Sequence, residues 1–150
     1  MTDQILDVDL LAFESSTGAS RRAVVDGVRR SLETGFVYTS HDLSDDLLDT
    51  TYAMLREFFE LDEATKQQYI APGAHGQTGY TGLLVETAAS SDKPDWKEML
   101  NWSAPIAAGH PLKTKFPTAY PDQLLPESAV PGITDVLYRF HESIADLQRR

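Results

Sequence analysis

The feature that most constrains the fold is a stripe of apolar residues at the end of the sequence. These side chains recur at i, i+3, i+4, i+7, i+11 and i+14, which is the spacing of one face of an α-helix: Ile133, Val136, Leu137, Phe140, Ile144 and Leu147. The pattern predicts an amphipathic helix that continues to Arg150 without a Gly, Asn or Pro stop signal. Because no residues follow that could cover this face, we expect a chain that stops early and leaves the stripe exposed.

The composition indicates one globular domain without a membrane segment. The 150 residues are 41% hydrophobic, which is enough for a core. No apolar run approaches the roughly 20 residues that cross a bilayer, and the acidic N-terminus does not resemble a signal peptide. A net charge of −10 argues against nonspecific binding to nucleic acid, and the absence of cysteine excludes disulfides and thiolate chemistry. We therefore expect a cytoplasmic protein that binds neither nucleic acid nor membranes.

Local patterns predict helices that alternate with short strands, and therefore an α+β fold. Helices are predicted after the capping residues Ser20 and Ser44 and from Asp62 to about Gln68. The first of them has an apolar face formed by Val24, Val25, Val28 and Leu32. Strands are predicted at residues 5–10, 36–39, 79–85 and 97–102. Residues 103–131 contain most of the prolines and are predicted to form an extended connection on the surface.

None of the histidines lies in a motif that binds a catalytic metal. An iron site of two histidines and one carboxylate requires His-x-Asp or His-x-Glu. The residues two places after the four histidines are instead Leu43, Gln77, Leu112 and Ser143. The sequence also lacks the His-Glu-x-x-His of zinc proteases, the Gly-x-Ser-x-Gly of serine hydrolases and the glycine-rich phosphate loops. We therefore set aside zinc-dependent and hydrolytic chemistry for these residues.

Tyr80 and Glu86 are candidates for a mixed polar pocket. They are six residues apart on the predicted strand, and this even spacing places both side chains on one face. From spacing alone, a core Tyr80 and a solvent-facing Glu86 form the favoured interpretation. Trp102 could stack on a ligand, although a buried tryptophan more commonly serves packing.

Several short motifs follow one another in a characteristic order between residues 5 and 102. They are Ile5-Leu6-Asp7-Val8-Asp9-Leu10, Gly35-Phe36-Val37-Tyr38, Phe58-Phe59-Glu60-Leu61, Lys66, Gly79-Tyr80, Glu86 and Lys93-Pro94-Asp95-x-Lys97-Glu98. In this order they resemble the N-terminal region of the isopenicillin N synthase-like iron(II)/2-oxoglutarate oxygenases, including bacterial members such as the ethylene-forming enzyme. One departure is His41-Asp42, where that family commonly has His-Gly.

The resemblance implies the N-terminal half of an oxygenase that hydroxylates, desaturates or cyclises a small organic substrate. Residues 1–120 would form the N-terminal region, and 121–150 a connection and a long helix that backs a double-stranded β-helix (jelly-roll) core. That core is largely missing from this chain, and the rest of the protein would pack against the helix 132–150. The intact enzyme would bind iron(II) and 2-oxoglutarate, and this segment alone would bind neither and be inactive. Tyr80 and Glu86 match the strand that faces the substrate, so the resemblance implies that they bind it.

A stand-alone binding module without catalytic activity is the alternative. It predicts a folded monomer of 150 residues that binds no iron. The enzyme-fragment hypothesis instead predicts that the apolar stripe from Ile133 to Leu147 is exposed and causes self-association.

Overall fold

The computed structural model describes residues 5–15 and 18–150, which divide into two compact units. The first unit includes the residues up to Ser44 and Asp146–Arg150. It contains β1 (Leu6–Val8), α1 (Leu10–Ser15), α2 (Ala19–Ser31) and β2 (Val37–Thr39). The second, Asp45–Ala145, contains α3 (Asp45–Phe59), α4 (Glu63–Gln67), β3 (Gly79–Thr81), β4 (Met99–Asn101), α5 (Pro111–Lys115) and most of α6 (Ile133–Arg149). Helices and short strands alternate as the sequence predicts. Across the described ranges, no helix combines the length and the hydrophobicity that a membrane span requires.

The first unit is built on a pair of parallel strands. β1 and β2 pair with Leu6 opposite Val37 and Val8 opposite Thr39. The sequence analysis extended the first strand to Leu10, but helix α1 already begins there. The carboxylate of Asp9 accepts a hydrogen bond from the backbone N–H of Ala12 at 2.9 Å, so this residue caps a helix that the alternating apolar pattern concealed.

The predicted start and apolar face of α2 are only partly correct. The helix begins at Ala19, so the proposed cap Ser20 lies inside its first turn, and the neighbouring residues 16 and 17 lie outside the described ranges. Val24 is buried, whereas Val25 and Val28 are about half-exposed and Leu32 is 76% exposed. A two-stranded sheet and one short helix provide too little surface to cover the whole predicted face.

The second unit has a core formed mainly by aromatic and branched side chains from α3, the two strands and α6. Its buried members are Phe58, Tyr69, Tyr80, Leu100, Val130, Ile133 and Leu137. The predicted helices after Ser44 and Asp62 are confirmed, and Asp62 caps α4 by accepting the backbone N–H of Thr65. The prolyl segment 103–131 is not simply a surface connection, because Pro126 and Val130 are fully buried and α5 forms within it.

The apolar stripe of α6 is buried in its first half only. Ile133, Val136 and Leu137 are buried, while Phe140 is partly buried and Ile144 is 39% exposed. The expectation that the whole stripe is exposed is therefore wrong for its N-terminal half, because the core of the second unit already covers those side chains. The side chain of Glu127 stabilises the start of the helix by accepting the backbone N–H groups of Gly132 and Thr134 at 2.7 and 3.0 Å.

We predict that Gly27→Ala destabilises the first unit, although alanine is normally the better helix former by about 1 kcal/mol. A Cβ atom at this position would lie 2.9 Å from Cγ2 of Val8, whose branched side chain is buried and has little freedom to move. Overpacking of this kind should cost about 1–3 kcal/mol in a urea unfolding curve followed by circular dichroism.

The control for this substitution is Asp26→Ala, at an exposed position of the same helix, which should leave stability nearly unchanged. In a Val8→Ala background, the clash is removed and Gly27→Ala should cost much less. An equal cost in both backgrounds would show that steric contact with Val8 is not the reason for the glycine.

Candidate functional site

Tyr80 is brought into the core by the close approach of β3 to the chain after α4. β3 and β4 are antiparallel, with Tyr80 opposite Leu100, and the backbone N–H of Tyr80 donates to the carbonyl oxygen of Tyr69 at 2.8 Å. A Cβ atom on Gly79 would lie 2.4 Å from that same carbonyl oxygen. The backbone φ of Gly79 is +82°, which is unfavourable for any other residue. The Gly-Tyr pair of the sequence is therefore a steric requirement for this approach.

The hydroxyl of Tyr80 belongs to a buried network of charged side chains. It donates to Oε2 of Glu98 at 2.5 Å, and Nζ of Lys66 donates to the same oxygen at 2.7 Å. Lys66 also donates to the carbonyl oxygen of Phe59 at 3.3 Å, and Glu63 lies 3.3 Å from the Tyr80 hydroxyl. The Lys66 side chain is 9% exposed and that of Glu98 is 23% exposed, so the pair is largely removed from water.

This network changes the acidity of two of its members. Burial, followed by the hydrogen bond to Glu98 and the charges of Glu98 and Glu63, raises the pKa of Tyr80 well above its usual range. Burial alone would also raise the pKa of Glu98. The hydrogen bonds from Lys66 and Tyr80 and the charge of Lys66 outweigh it, so the pKa of Glu98 lies below its ordinary value. Glu98 is therefore an ion at neutral pH and Tyr80 a neutral hydrogen-bond donor.

An open cavity of about 490 Å³ is lined in part by Tyr80. Its wall is mostly apolar and includes Ile70, Pro72, Val85 and Tyr80, together with His75 and Glu86. Tyr80 is only 2% exposed and its hydroxyl is already bonded to carboxylates, so it closes the base of the wall and contributes no free polar group. The volume lies within the range of small-molecule sites, which are typically apolar with a few polar side chains.

Glu86 reaches this cavity by a different route from the one that the sequence predicts. The strand ends at Thr81, and the chain then turns through Leu84, which has a positive φ of 61°. Side-chain alternation therefore does not extend from Tyr80 to Glu86, and the predicted strand 79–85 is wrong beyond its first three residues. Both residues nevertheless line the same cavity.

A short irregular pairing of two chain segments holds Glu86 beside Lys97. The backbone N–H of Asp95 donates to the carbonyl oxygen of Glu86 at 2.7 Å, and that of Leu84 donates to Asp95 at 3.1 Å. Nζ of Lys97 then lies 2.9 Å from Oε2 of Glu86 and 3.0 Å from Oδ2 of Asp95. Hydrogen bonds to Glu86 and then to Asp95 raise the pKa of Lys97. We call these three side chains the rim cluster.

The structure thus brings the two predicted site residues to one cavity but gives them partners that spacing does not indicate. Lys66, Lys97 and Glu98 occur in the motifs of the sequence, yet their contacts join positions up to 32 residues apart. Trp102 does not line this cavity. It is partly buried against the core, and its indole N–H donates to the carbonyl oxygen of Leu137 at 3.1 Å, which supports the packing interpretation.

Iron binding requires several ligating side chains that converge on one point. Within residues 5–15 and 18–150, no three or more His, Asp or Glu side chains are arranged to hold a metal ion. The residues described here therefore do not fit an iron site.

Comparisons with known proteins identify relatives of this chain. Residues 5–127 match the family model described as "non-haem dioxygenase in morphine synthesis N-terminal". The chain is 30% identical over 138 residues to the 2-oxoglutarate-dependent dioxygenase tropC of Talaromyces stipitatus, an alignment that covers 88% of this chain and 41% of tropC. It is 27% identical over 135 residues to the 2-oxoglutarate-dependent dioxygenase imqE of Aspergillus flavus, covering 74% of this chain and 35% of imqE. The chain thus spans less than half the length of these relatives.

A solved structure shares the fold. It is a 2OG-Fe(II) oxygenase family protein from Caulobacter crescentus, by the description of its crystal structure, and it superimposes with a TM-score of 0.77 at 24% identity. The match covers 98% of this chain and 46% of the other. The fold of the Caulobacter protein therefore extends beyond the part that this chain matches.

We predict that Lys66→Met destabilises the second unit by about 3 kcal/mol at pH 7, because it leaves the Glu98 carboxylate largely buried without its cation. The pKa of Glu98 is lowered in the folded wild type, so its contribution is complete above the unfolded pKa and disappears as the pH falls through the folded pKa. In the variant, the destabilisation should therefore be largest near neutral pH and shrink below about pH 4.

The measurement is urea unfolding between pH 3 and pH 7, followed by the fluorescence of the two tryptophans, both of which lie in the second unit. Lys97→Met is the matched control, because it makes the same change in an ion pair that is nearly half exposed. It should change stability by less than about 1 kcal/mol. A pH-independent loss in Lys66→Met would exclude the charge of Glu98 as its cause.

Proposed function

Since this chain belongs to the non-haem dioxygenase N-terminal family, we propose that it forms the N-terminal part of an iron(II)- and 2-oxoglutarate-dependent oxygenase that acts on a small organic substrate. The observation that carries this proposal is the family match over residues 5–127, together with relatives that are 2-oxoglutarate-dependent dioxygenases. Hydroxylation, desaturation and cyclisation are the outcomes we assign to the class.

We place the cofactors outside the residues described here. Because these residues do not fit an iron site, iron(II) and 2-oxoglutarate would be held by the jelly-roll core of the intact enzyme. When bound there, they would supply the oxidising chemistry. In this proposal, residues 1–120 form the N-terminal region and residues 121–150 the connection and the helix that supports the core.

The role that we propose for the second unit is to enclose the substrate. Its cavity has the size of a small-molecule site, and Tyr80 and Glu86 are among the residues that line it. The buried contact of Tyr80 with Glu98 holds the ring in place, so this part of the wall is organised before a substrate arrives. Tyr80 and Glu86 are therefore our proposed substrate-binding residues.

The second half of α6 offers a surface for the catalytic part of the protein. Phe140 and Ile144 form, with Leu100 and Trp102, a shallow hollow beside the helix. These apolar side chains lie next to a core that already buries Ile133 and Leu137, so a further layer packed there would extend it. We propose that the jelly-roll core covers this hollow.

The coding sequence beyond Arg150 provides the direct test. We expect it to encode a His-x-Asp motif and a more distant His within the length that the relatives span, and the full-length protein to release succinate from 2-oxoglutarate in the presence of iron(II). A reading frame without these ligands would contradict the proposal.

In that full-length enzyme, we predict that Glu86→Gln raises the KM for the organic substrate by about tenfold, because a charged hydrogen bond at the cavity is lost. The KM for 2-oxoglutarate should not change. Glu57→Gln, at an exposed position of α3, is the control and should leave both constants unchanged. Equal changes in both KM values for Glu86→Gln would show that it does not contact the organic substrate.

A stand-alone binding module is the second candidate, favoured by the burial of Ile133 and Leu137 in the chain's own core. The two candidate functions predict different effects of a substitution at the exposed residue Ile144. For the enzyme part, Ile144→Glu should reduce self-association of the 150-residue chain in sedimentation experiments, and it should impair folding of the full-length protein. A wild-type chain that stays monomeric at high concentration would favour the module.

A further inference from the structure

We propose that the cavity beside Tyr80 recognises a substrate through a cationic nitrogen, and that this nitrogen takes the place of Lys97 at Glu86. Lys97 is then a specificity-determining residue, which acts as an exchangeable counter-ion of the cavity-lining Glu86. This inference rests on the proposed function of the cavity as a substrate-binding wall and names the chemical class of its ligand.

The geometry of the rim cluster keeps the free-energy cost of this exchange small. Nζ of Lys97 is within 3.0 Å of both Glu86 and Asp95, so it can leave the first carboxylate and keep the second. The Lys97 side chain is 46% exposed, so water can solvate the donor that is set free. Glu86, which is the cavity-lining member of the pair, would gain one cation as it loses another.

The charges around the cavity favour a cation over an anion. Lys66 neutralises Glu98 within the buried network and has no contact with the rim cluster among the bonds described. The rim cluster contains the carboxylates of Glu86 and Asp95 and one ammonium group, which leaves one negative charge uncompensated. A bound carboxylate would lie close to both acids, whereas an amine or a guanidinium would complete the pairing.

The rest of the wall defines the body that carries this nitrogen. Ile70, Pro72 and Val85 are apolar, and the hydroxyl of the buried Tyr80 is engaged by Glu98, so it offers no free polar group. His75 is the other titratable side chain on the wall. A cavity of about 490 Å³ has room for a molecule of one or two rings. The ligand class is therefore a compact apolar or aromatic molecule with one basic nitrogen.

Three probes that differ only in their end group can test this inference on the 150-residue chain. They are 2-phenylethylamine, which is cationic, 2-phenylethanol, which is neutral, and 3-phenylpropionate, which is anionic. Titration is followed by the backbone amide shifts of Tyr80, Gly82 and Glu86 in two-dimensional NMR spectra. We expect saturable shifts with the amine. The alcohol and the carboxylate should bind at least about fivefold more weakly.

Variants then separate the two members of the ion pair. Glu86→Gln should weaken amine binding about tenfold, since the charged partner is lost. Lys97→Met should strengthen it severalfold, because it removes the cation that competes for Glu86. Lys93→Met, in the same loop and exposed, is the matched control and should bind the amine as the wild type does. The amide spectrum of each free variant, with shifts confined to the substituted region, establishes that it folds.

The remaining outcomes overturn either the inference or the proposed function, and the two cases are distinguishable. Preferred binding of 3-phenylpropionate, lost in Lys97→Met, would make Lys97 an anion receptor and leave the cavity as a ligand site. Failure of all three probes to shift the cavity amides would reject the cationic ligand without affecting the family proposal. A coding sequence that lacks iron ligands would reject the oxygenase function even if the amine binds as expected.

Discussion

The ion pair between Lys66 and Glu98 is the interaction on which the second unit and its cavity depend. Each partner would be costly to bury alone, and together with the Tyr80 hydroxyl they form a network in which every member has a partner. The network joins α4, β3 and the segment before β4. Since replacing such a pair by apolar residues is often neutral for stability, its value lies in placing the Tyr80 ring in one position.

The second unit thus contains two ion pairs that differ in their exposure to water. The pair of Lys66 and Glu98 is largely removed from water, and its carboxylate accepts hydrogen bonds from a phenol and an ammonium group. The rim pair of Lys97 and Glu86 is nearly half exposed, so its strength is moderated by water and salt. A rigid wall and an exchangeable charge are the two features that a binding site needs for shape and for selectivity.

Exposed apolar side chains indicate surfaces on which further parts of a protein would pack. Leu32 and Phe36 in the first unit, and Ile144 in the second, are large apolar side chains that the described residues do not cover. The relatives are more than twice as long as the part of them that this chain matches. The open surfaces and the partial match agree with a fold whose remaining layers belong to another part of an oxygenase, as we propose.

The sequence by itself determined the alternation of helices and strands, the starts of α3 and α4, and the order of motifs that indicated the family. These features are local, because helix caps and apolar periodicity depend on residues a few positions apart. Only the tertiary structure decided that Glu98 contacts Tyr80, that Lys97 forms an ion pair with Glu86, and that half of the α6 stripe is buried. Such contacts join distant segments, and no local pattern records which charged or apolar side chain another will meet once the chain is folded.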